Sequence, residues 1–161
     1  MNVHIRWMIR RDIEAVLAID AGLREPWTED EFLRRLRERN CIGLVAERGD
    51  EVVGFAIYRL RPGCLQVNRL AIHPEHRRRG VGRKFIEKLR GKVDGDRRRF
   101  LSMWVRESDA DAARFLAAMG LRARLERDIY SDPDEDAYAF LWAHREAGRV
   151  QAGAEAPEVR R

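Results

Sequence analysis

Between Val67 and Arg83 the chain runs through an apolar strand, a Pro turn, a basic loop with two glycines and the start of a helix. The loop reads Arg77-Arg78-Arg79-Gly80-Val81-Gly82-Arg83. These residue types bind anions. Gly80 and Gly82 have no Cβ, so a bulky anion can approach the backbone and positive φ is allowed. The first N–H groups of the following helix lack intrahelical partners and lie at the positive end of its dipole. The arginines add full charges, and together these parts make a pyrophosphate cradle. The loop is not a P-loop, because no Gly-Lys-Ser/Thr ends it. It is not the dinucleotide fingerprint either, because Phe85 stands where the third glycine belongs. A basic surface turn that opens a helix is the other reading of the same residues.

Such a loop needs a strand before it and a helix behind it. Leu65 to Ile72 reads as the strand, and Lys84 to Leu89 as an amphipathic helix ending near Gly91. Upstream, His4 to Met8 reads as a first strand, and Asp12 caps a helix carrying Ile13, Val16, Leu17 and Asp20. Thr28 and Glu31 form a capping box. It opens a helix with Phe32, Leu33 and Leu36 on one side, ending near Asn40. Ile42 to Glu47 and Val52 to Leu60 are strands joined at Gly49-Asp50. Downstream, Phe100 to Val105 is a strand. Ser108 or Asp109 caps a helix carrying Ala112, Phe115, Leu116 and Met119, and Gly120 suits its C′ position. Leu121 to Tyr130 and Ala137 to Ala143 read as a last strand pair. The mixture fits an α/β sheet flanked by helices.

At 161 residues the chain fits one domain, read as residues 1–144, with 145–161 as a disordered tail short of large apolar residues. Cys41, Cys64 and four scattered histidines have no metal-ligand spacing, so no metal is expected. The two cysteines read as reduced thiols of a cytoplasmic protein. No apolar run approaches ~20 residues, so no membrane contact is expected, and no secretory leader is evident. The net charge is +5, and it is concentrated: from Arg77 to Arg99 eleven Lys/Arg stand against Glu87, Asp94 and Asp96. A patch of this kind implies a polyanionic partner, either a phosphate-bearing cofactor or nucleic acid. No aromatics interleave to stack bases, which argues against nucleic acid.

With its strand included, Leu70-Ala71-Ile72-His73-Pro74 followed by Arg77-Arg78-Arg79-Gly80-Val81-Gly82-Arg83 resembles the acetyl-CoA-binding motif of the GNAT superfamily of N-acetyltransferases. The resemblance implies that Leu70, Ala71 and Ile72 lie along the pantetheine arm. It also implies that Arg77, Arg78, Arg79, Gly80, Val81, Gly82 and Arg83 hold the pyrophosphate. Pro26-Trp27-Thr28 looks like the Pro-Trp-Ser/Thr segment of the RimI type, the ribosomal-protein-alanine N-acetyltransferases. Val105-Arg106-Glu107-Ser108-Asp109 with Met119-Gly120-Leu121, and Arg127-Asp128-Ile129-Tyr130 with Glu135-Asp136-Ala137, resemble later segments of that type. The likeness spans roughly residues 3–143. It implies the GNAT fold, a mixed central sheet of about seven strands flanked by about four helices. It also implies transfer of acetyl from acetyl-CoA to a protein N-terminus, with a basic ribosomal small-subunit protein as acceptor and Trp27 and Tyr130 on the acceptor side. A catalytically weak acyl-CoA-binding domain and a small-molecule amine acetyltransferase are the alternatives.

The chain departs from that pattern where protons move. The RimI type has a Glu base on the strand and a Tyr acid on the next helix. Here Trp104 stands at the first position, and Leu116, or Phe115 with a one-residue slip, at the second. Tyr130 and Glu107 remain as candidates for a relocated proton carrier, Tyr130 being the catalytic assignment. Asp109 replaces an Asn, which sets an anion beside a polyanionic cofactor unless it only caps the helix. Arg69 replaces a small polar residue. A site without a strong base favours an α-amine: at pH 7.4 about a fifth of an α-amine is neutral, against ~0.1% of a lysine. The acidic stretch Asp132, Asp134, Glu135, Asp136 reads either as a lure for a basic peptide or as a solvated turn.

Overall fold

The computed structural model describes residues 2–126 and 135–145. In chain order the elements are β1 (His4–Trp7), α1 (Ile13–Asp20), α2 (Glu29–Leu36), β2 (Cys41–Arg48), β3 (Glu51–Arg61), β4 (Gly63–Ile72), α3 (Val81–Arg90), β5 (Arg98–Arg106), α4 (Ala110–Ala118), β6 (Arg122–Glu126) and β7 (Ala137–Ala143). Among the described residues the seven strands form one sheet in the order β1-β2-β3-β4-β5-β7-β6. The pairs β1–β2, β2–β3, β5–β7 and β6–β7 are antiparallel. The Gly63 N–H donates to the Arg97 carbonyl at 3.1 Å, so β4 and β5 set off side by side in one direction, and the sheet is mixed. The chain divides into two compact units, residues 1–60 with 67–88, and residues 61–66 with 89–161.

In the first unit, alternation along the strands sorts the core onto two faces. One face carries Cys41 and Val45 of β2, Phe55 and Ile57 of β3 and Ala71 of β4, packed with Val16 and Ile19 of α1 and Phe32 of α2. Phe85 of α3 packs on the opposite face. Gly54 allows that contact: a Cβ there would lie 2.9 Å from Ile72 Cδ1, 3.0 Å from the Ala71 carbonyl and 3.3 Å from Phe85. The capping box of α2 is formed as expected, with Thr28 Oγ1 accepting from the Glu31 N–H and Glu31 Oε2 accepting from the Thr28 N–H at 2.7 Å. Two expectations are corrected. Asp12 does not cap α1: its buried carboxylate accepts from both Arg6 Nη atoms, at 2.7 and 2.9 Å, and from the Ile9 N–H at 2.8 Å. Helix α2 stops at Leu36 rather than near Asn40, because the Glu38 N–H tightens onto the Arg35 carbonyl three residues back and the Cys41 N–H onto that of Glu38, so the α-helical ladder ends.

In the second unit, β7 lies between β5 and β6, and Leu101, Val105, Leu116, Leu121, Ala139 and Phe140 are buried. Asp109 Oδ1 accepts from the Ala112 N–H at 3.0 Å and caps α4. The far end closes as a Schellman motif, with the Gly120 N–H on the Ala117 carbonyl and the Leu121 N–H on the Leu116 carbonyl. Cys64 and Cys41 are free and buried, and burial pushes both thiols up.

Candidate cofactor and acceptor site

The end of β4 turns sharply into α3. Pro74–His76 forms a single 3-10 turn, and Arg77 is extended. Arg78 then sits at φ 62 and Gly80 at φ 83. A non-glycine residue in the left-handed region is uncommon and costs of order 1 kcal/mol, so the loop holds a shape that the sequence does not favour locally. At Gly80 a Cβ would project into open space, with nothing within 4 Å. The Lys84 N–H is the first to find a backbone carbonyl, that of Gly80, so the N–H groups of Val81, Gly82 and Arg83 point out of the helix end. No acidic residue occupies the first turn of α3.

The four arginines divide. Arg77 Nε donates to the Ile72 carbonyl at 3.0 Å, which ties the turn to the end of the strand. Among the described residues Arg78, Arg79 and Arg83 are exposed and meet no hydrogen-bond or ion-pair partner. Leu70 and Ile72 are half-buried and Ala71 is buried, as an alternating strand requires. The arrangement joins three free guanidiniums, three outward N–H groups and a Cβ-free turn within the first unit.

Arg69 directly precedes Leu70 on β4 and projects to the face that carries α1 and α2. Its Nε and Nη2 fork onto Asp20, the last residue of α1, whose side chain has no exposure, and Nη2 also donates to the Glu25 carbonyl. Asp20 Oδ2 in turn accepts from the Trp27 backbone N–H at 2.6 Å. The Trp27 ring packs edge-on against Phe32 at 4.9 Å between centroids, a hydrophobic staple across the α2 N-terminus. The guanidiniums of Arg35 and Arg69 lie over the same ring, 4.4 and 4.5 Å from its centroid. Trp27 is therefore both a packing residue and a half-exposed surface set by charged neighbours. Asp20 was the part missed in the sequence. A carboxylate on the apolar stripe of a helix demands a buried cation, and Arg69 is that cation.

In the second unit the two positions expected to carry base and acid hold apolar residues in apolar settings. Trp104 is half-buried on β5 opposite Ala139, Leu116 is buried in α4 and Phe115 is half-buried. The Glu107 N–H donates to the Asp136 carbonyl at 3.0 Å, and its side chain is exposed. Asp109 has one oxygen engaged as a helix cap. Glu135 accepts from Arg106 Nη1 at 3.1 Å and from the Ser108 N–H at 3.0 Å, so this member of the acidic stretch is bound internally. Tyr130, Asp132 and Asp134 lie outside the described residues, as do residues 146–161 of the expected tail.

Strand, glycine turn and basic helix start stand on a mixed sheet with helices on either face, an α/β arrangement. The sequence pattern of the acetyltransferase (GNAT) family matches residues 7–121, and the chain belongs to that family. A Bacillus subtilis protein, provisionally assigned as a ribosomal-protein-bS18-alanine N-acetyltransferase, is 31% identical over 145 residues, which are 86% of this chain and 93% of that protein. The ribosomal-protein-S18-alanine N-acetyltransferase of Escherichia coli superposes with a TM-score of 0.76 at 22% identity, over 88% of this chain and 94% of that one. NAA60 of Arabidopsis thaliana in complex with acetyl-CoA superposes with a TM-score of 0.76 at 16% identity, over 88% and 98% of the two chains.

Proposed function

We propose that this protein transfers acetyl from acetyl-CoA to the α-amine of a protein N-terminus. The observation that carries the cofactor half is the open turn at the start of α3, where Arg78, Arg79 and Arg83 are free and Gly80 leaves the backbone bare. Those guanidiniums and the N–H groups of Val81 to Arg83 match a pyrophosphate in charge and donor count. Arg77 shapes the turn, Leu70 to Ile72 offer backbone edges to the arm, and Asp109 contributes as the cap of α4. Acetyl-CoA supplies an activated thioester.

The chain's own task is then to present a neutral amine to that carbonyl. The amine nitrogen forms the amide bond, the C–S bond breaks with its electron pair on sulfur, and the proton the amine loses ends on that sulfur, so coenzyme A leaves as the thiol. Trp104 and Leu116 can take no part in the proton movement. Tyr130 is the proposed proton carrier, and Glu107 is the second candidate. With little base strength the site favours an acceptor that is already neutral. The difference in neutral fraction between an α-amine and a lysine corresponds to nearly ~3 kcal/mol of barrier. Trp27 forms one wall of the acceptor cleft. A small-subunit ribosomal protein in the cytoplasm is the first acceptor to test, following the assignment of the Bacillus relative.

Purified protein, acetyl-CoA and a peptide carrying both a free N-terminus and an internal lysine test this reading. Mass spectrometry should place the acetyl group on the α-amine, with a rate that rises with pH and levels off near pH ~8, where the amine becomes neutral. Tyr130→Phe should abolish turnover and leave acetyl-CoA affinity intact. Acetylation of the lysine instead, or no product up to pH ~9, overturns it. With no product, a weak acyl-CoA-binding domain is the reading that remains.

A further inference from the structure

Among the described residues the sheet has two end strands, β1 and β6, and their outer edges differ. At the end of β1 the Met8 N–H donates inward to Gly43, so by alternation the backbone groups of Val3, Ile5, Trp7 and Ile9 face outward. Side chains occupy much of that edge. Lys84 Nζ donates to the Val3 carbonyl at 3.1 Å, Arg6 Nη1 to the Trp7 carbonyl at 3.0 Å, and Asp12 Oδ2 accepts from the Ile9 N–H at 2.8 Å. An edge blunted in this way does not take up another strand. Strand β6 is left open. On β7, the Asp136 carbonyl and the His144 N–H bond to the β5 side, so the odd residues of β7 face β6. Arg122, Arg124 and Glu126 stand opposite Leu141, Ala139 and Ala137 and turn their backbone inward. Ala123 and Leu125 turn theirs outward, and those groups have no hydrogen-bond partner among the described residues. Leu125 is 44% exposed and lies beside the half-buried Tyr138. Arg124 and Glu126 share the other face, joined through Arg124 Nε at 2.7 Å.

We infer that β6 pairs antiparallel with β6 of a second copy of this chain, about a twofold axis at Leu125, and joins two sheets edge to edge. The strand's own sequence, Arg-Ala-Arg-Leu-Glu, selects the partner and the register. Opposite charges directly across a strand pair stabilise it, and like charges destabilise it. An axis at Ala123 sets Arg122 opposite Arg124 of the second copy, and does so twice. An axis at Arg124 sets that residue opposite itself. An axis at Leu125 sets each Arg124 opposite Glu126 of the second copy. It also brings together the two outward-facing Leu125 backbones, which exchange a reciprocal pair of N–H to carbonyl bonds. On the other face the two Leu125 side chains meet, in an apolar row with Tyr138 at each end. One patch on both copies, complementary to itself, is what a closed twofold dimer requires. The pairing is independent of the acceptor and of the cofactor turn.

Sedimentation of the full-length protein over a range of concentrations tests this. A contact along one short strand is small for a specific interface, so wild type should pass from monomer to dimer as concentration rises. Arg124→Glu alone sets Glu opposite Glu126, and Glu126→Arg alone sets Arg opposite Arg124. The axis counts each clash twice, so either change should weaken association about tenfold or more. The double variant Arg124→Glu with Glu126→Arg restores unlike pairs and should dimerise as wild type does. An equimolar mixture of the two single variants should form the mixed dimer even though neither forms its own. Wild type that stays monomeric at the highest concentration, as it would if residues 146–161 covered the edge, overturns the inference. So does a dimer that both single reversals leave intact, or a loss that neither the double variant nor the mixture repairs.

Discussion

Arg69 and Arg79 carry the same charge and use it in opposite ways. Arg69 is 13% exposed, forked onto a fully buried carboxylate and stacked on Trp27. Arg79 and its neighbours Arg78 and Arg83 stand in solvent with nothing to bind among the described residues. The two helix starts in the same unit repeat the contrast. The N-terminus of α2 is closed by the Thr28 box and three acidic residues in its first turn, Glu29, Asp30 and Glu31. The N-terminus of α3 has no acid in its first turn and a glycine before it. A protein that neutralises one helix end and leaves the other electropositive keeps the second for an anion from outside. Charge satisfied within the fold supplies position, and charge left free supplies binding.

Substitutions should separate the two roles. Asp20→Ala should have the largest effect and act on stability. It leaves Arg69 without its counter-ion and the Trp27 N–H without an acceptor, a loss of about 3–4 kcal/mol. Thermal unfolding should fall by roughly 6–15 °C for a chain of this size. A drop of only a degree or two would show that Arg69 finds equal compensation in water. Replacing Arg78, Arg79 and Arg83 together by Gln should act on binding alone. Acetyl-CoA affinity should fall about 100-fold by calorimetry, or nearly ~3 kcal/mol over three charged contacts, while the melting temperature stays put. Unchanged affinity would remove the cofactor from this loop.

How much of this was legible in the sequence differs by element, for physical reasons. The capping box, the Gly49-Asp50 hairpin, the Gly120 helix stop and the basic glycine turn are encoded within a few residues each, and all appear where expected. The partners of Arg69 and Arg6 lie 49 and 6 residues away, and local patterns do not specify which cation meets which carboxylate. Asp12 looked like a cap because Asp before an apolar helix usually is one. Arg6 outcompeted the helix N–H groups, and the carboxylate turned to the strand. Trp27 reads as either packing or a site wall, and the structure shows the packing, on Phe32 and under the guanidiniums of Arg35 and Arg69.

Asp12 offers the smallest test and sharpens the comparison, because Arg6 is a second arginine whose charge is satisfied within the fold. Hydrogen bonds from Arg6, with a lesser contribution from the Ile9 N–H, hold the Asp12 carboxyl below its ordinary value of 3.8. Glu47, the other partner of Arg6, is lowered for the same reason. A carboxyl whose pKa is lowered by folding binds fewer protons in the folded than in the unfolded state. Its contribution is thus fully present above the ordinary value and is lost as pH falls through the folded one. Asp12→Asn should therefore cost about 1–2 kcal/mol near pH 7. The gap between variant and wild type should narrow steadily as pH falls below about 4. Urea unfolding at a series of pH values measures both. Acetyl-CoA affinity should not change, since Arg6 and Asp12 lie outside the glycine turn. A gap that stays constant down to pH ~2 would mean that the Asp12 carboxylate acts through shape rather than charge, and Arg6 would then leave the class to which Arg69 belongs.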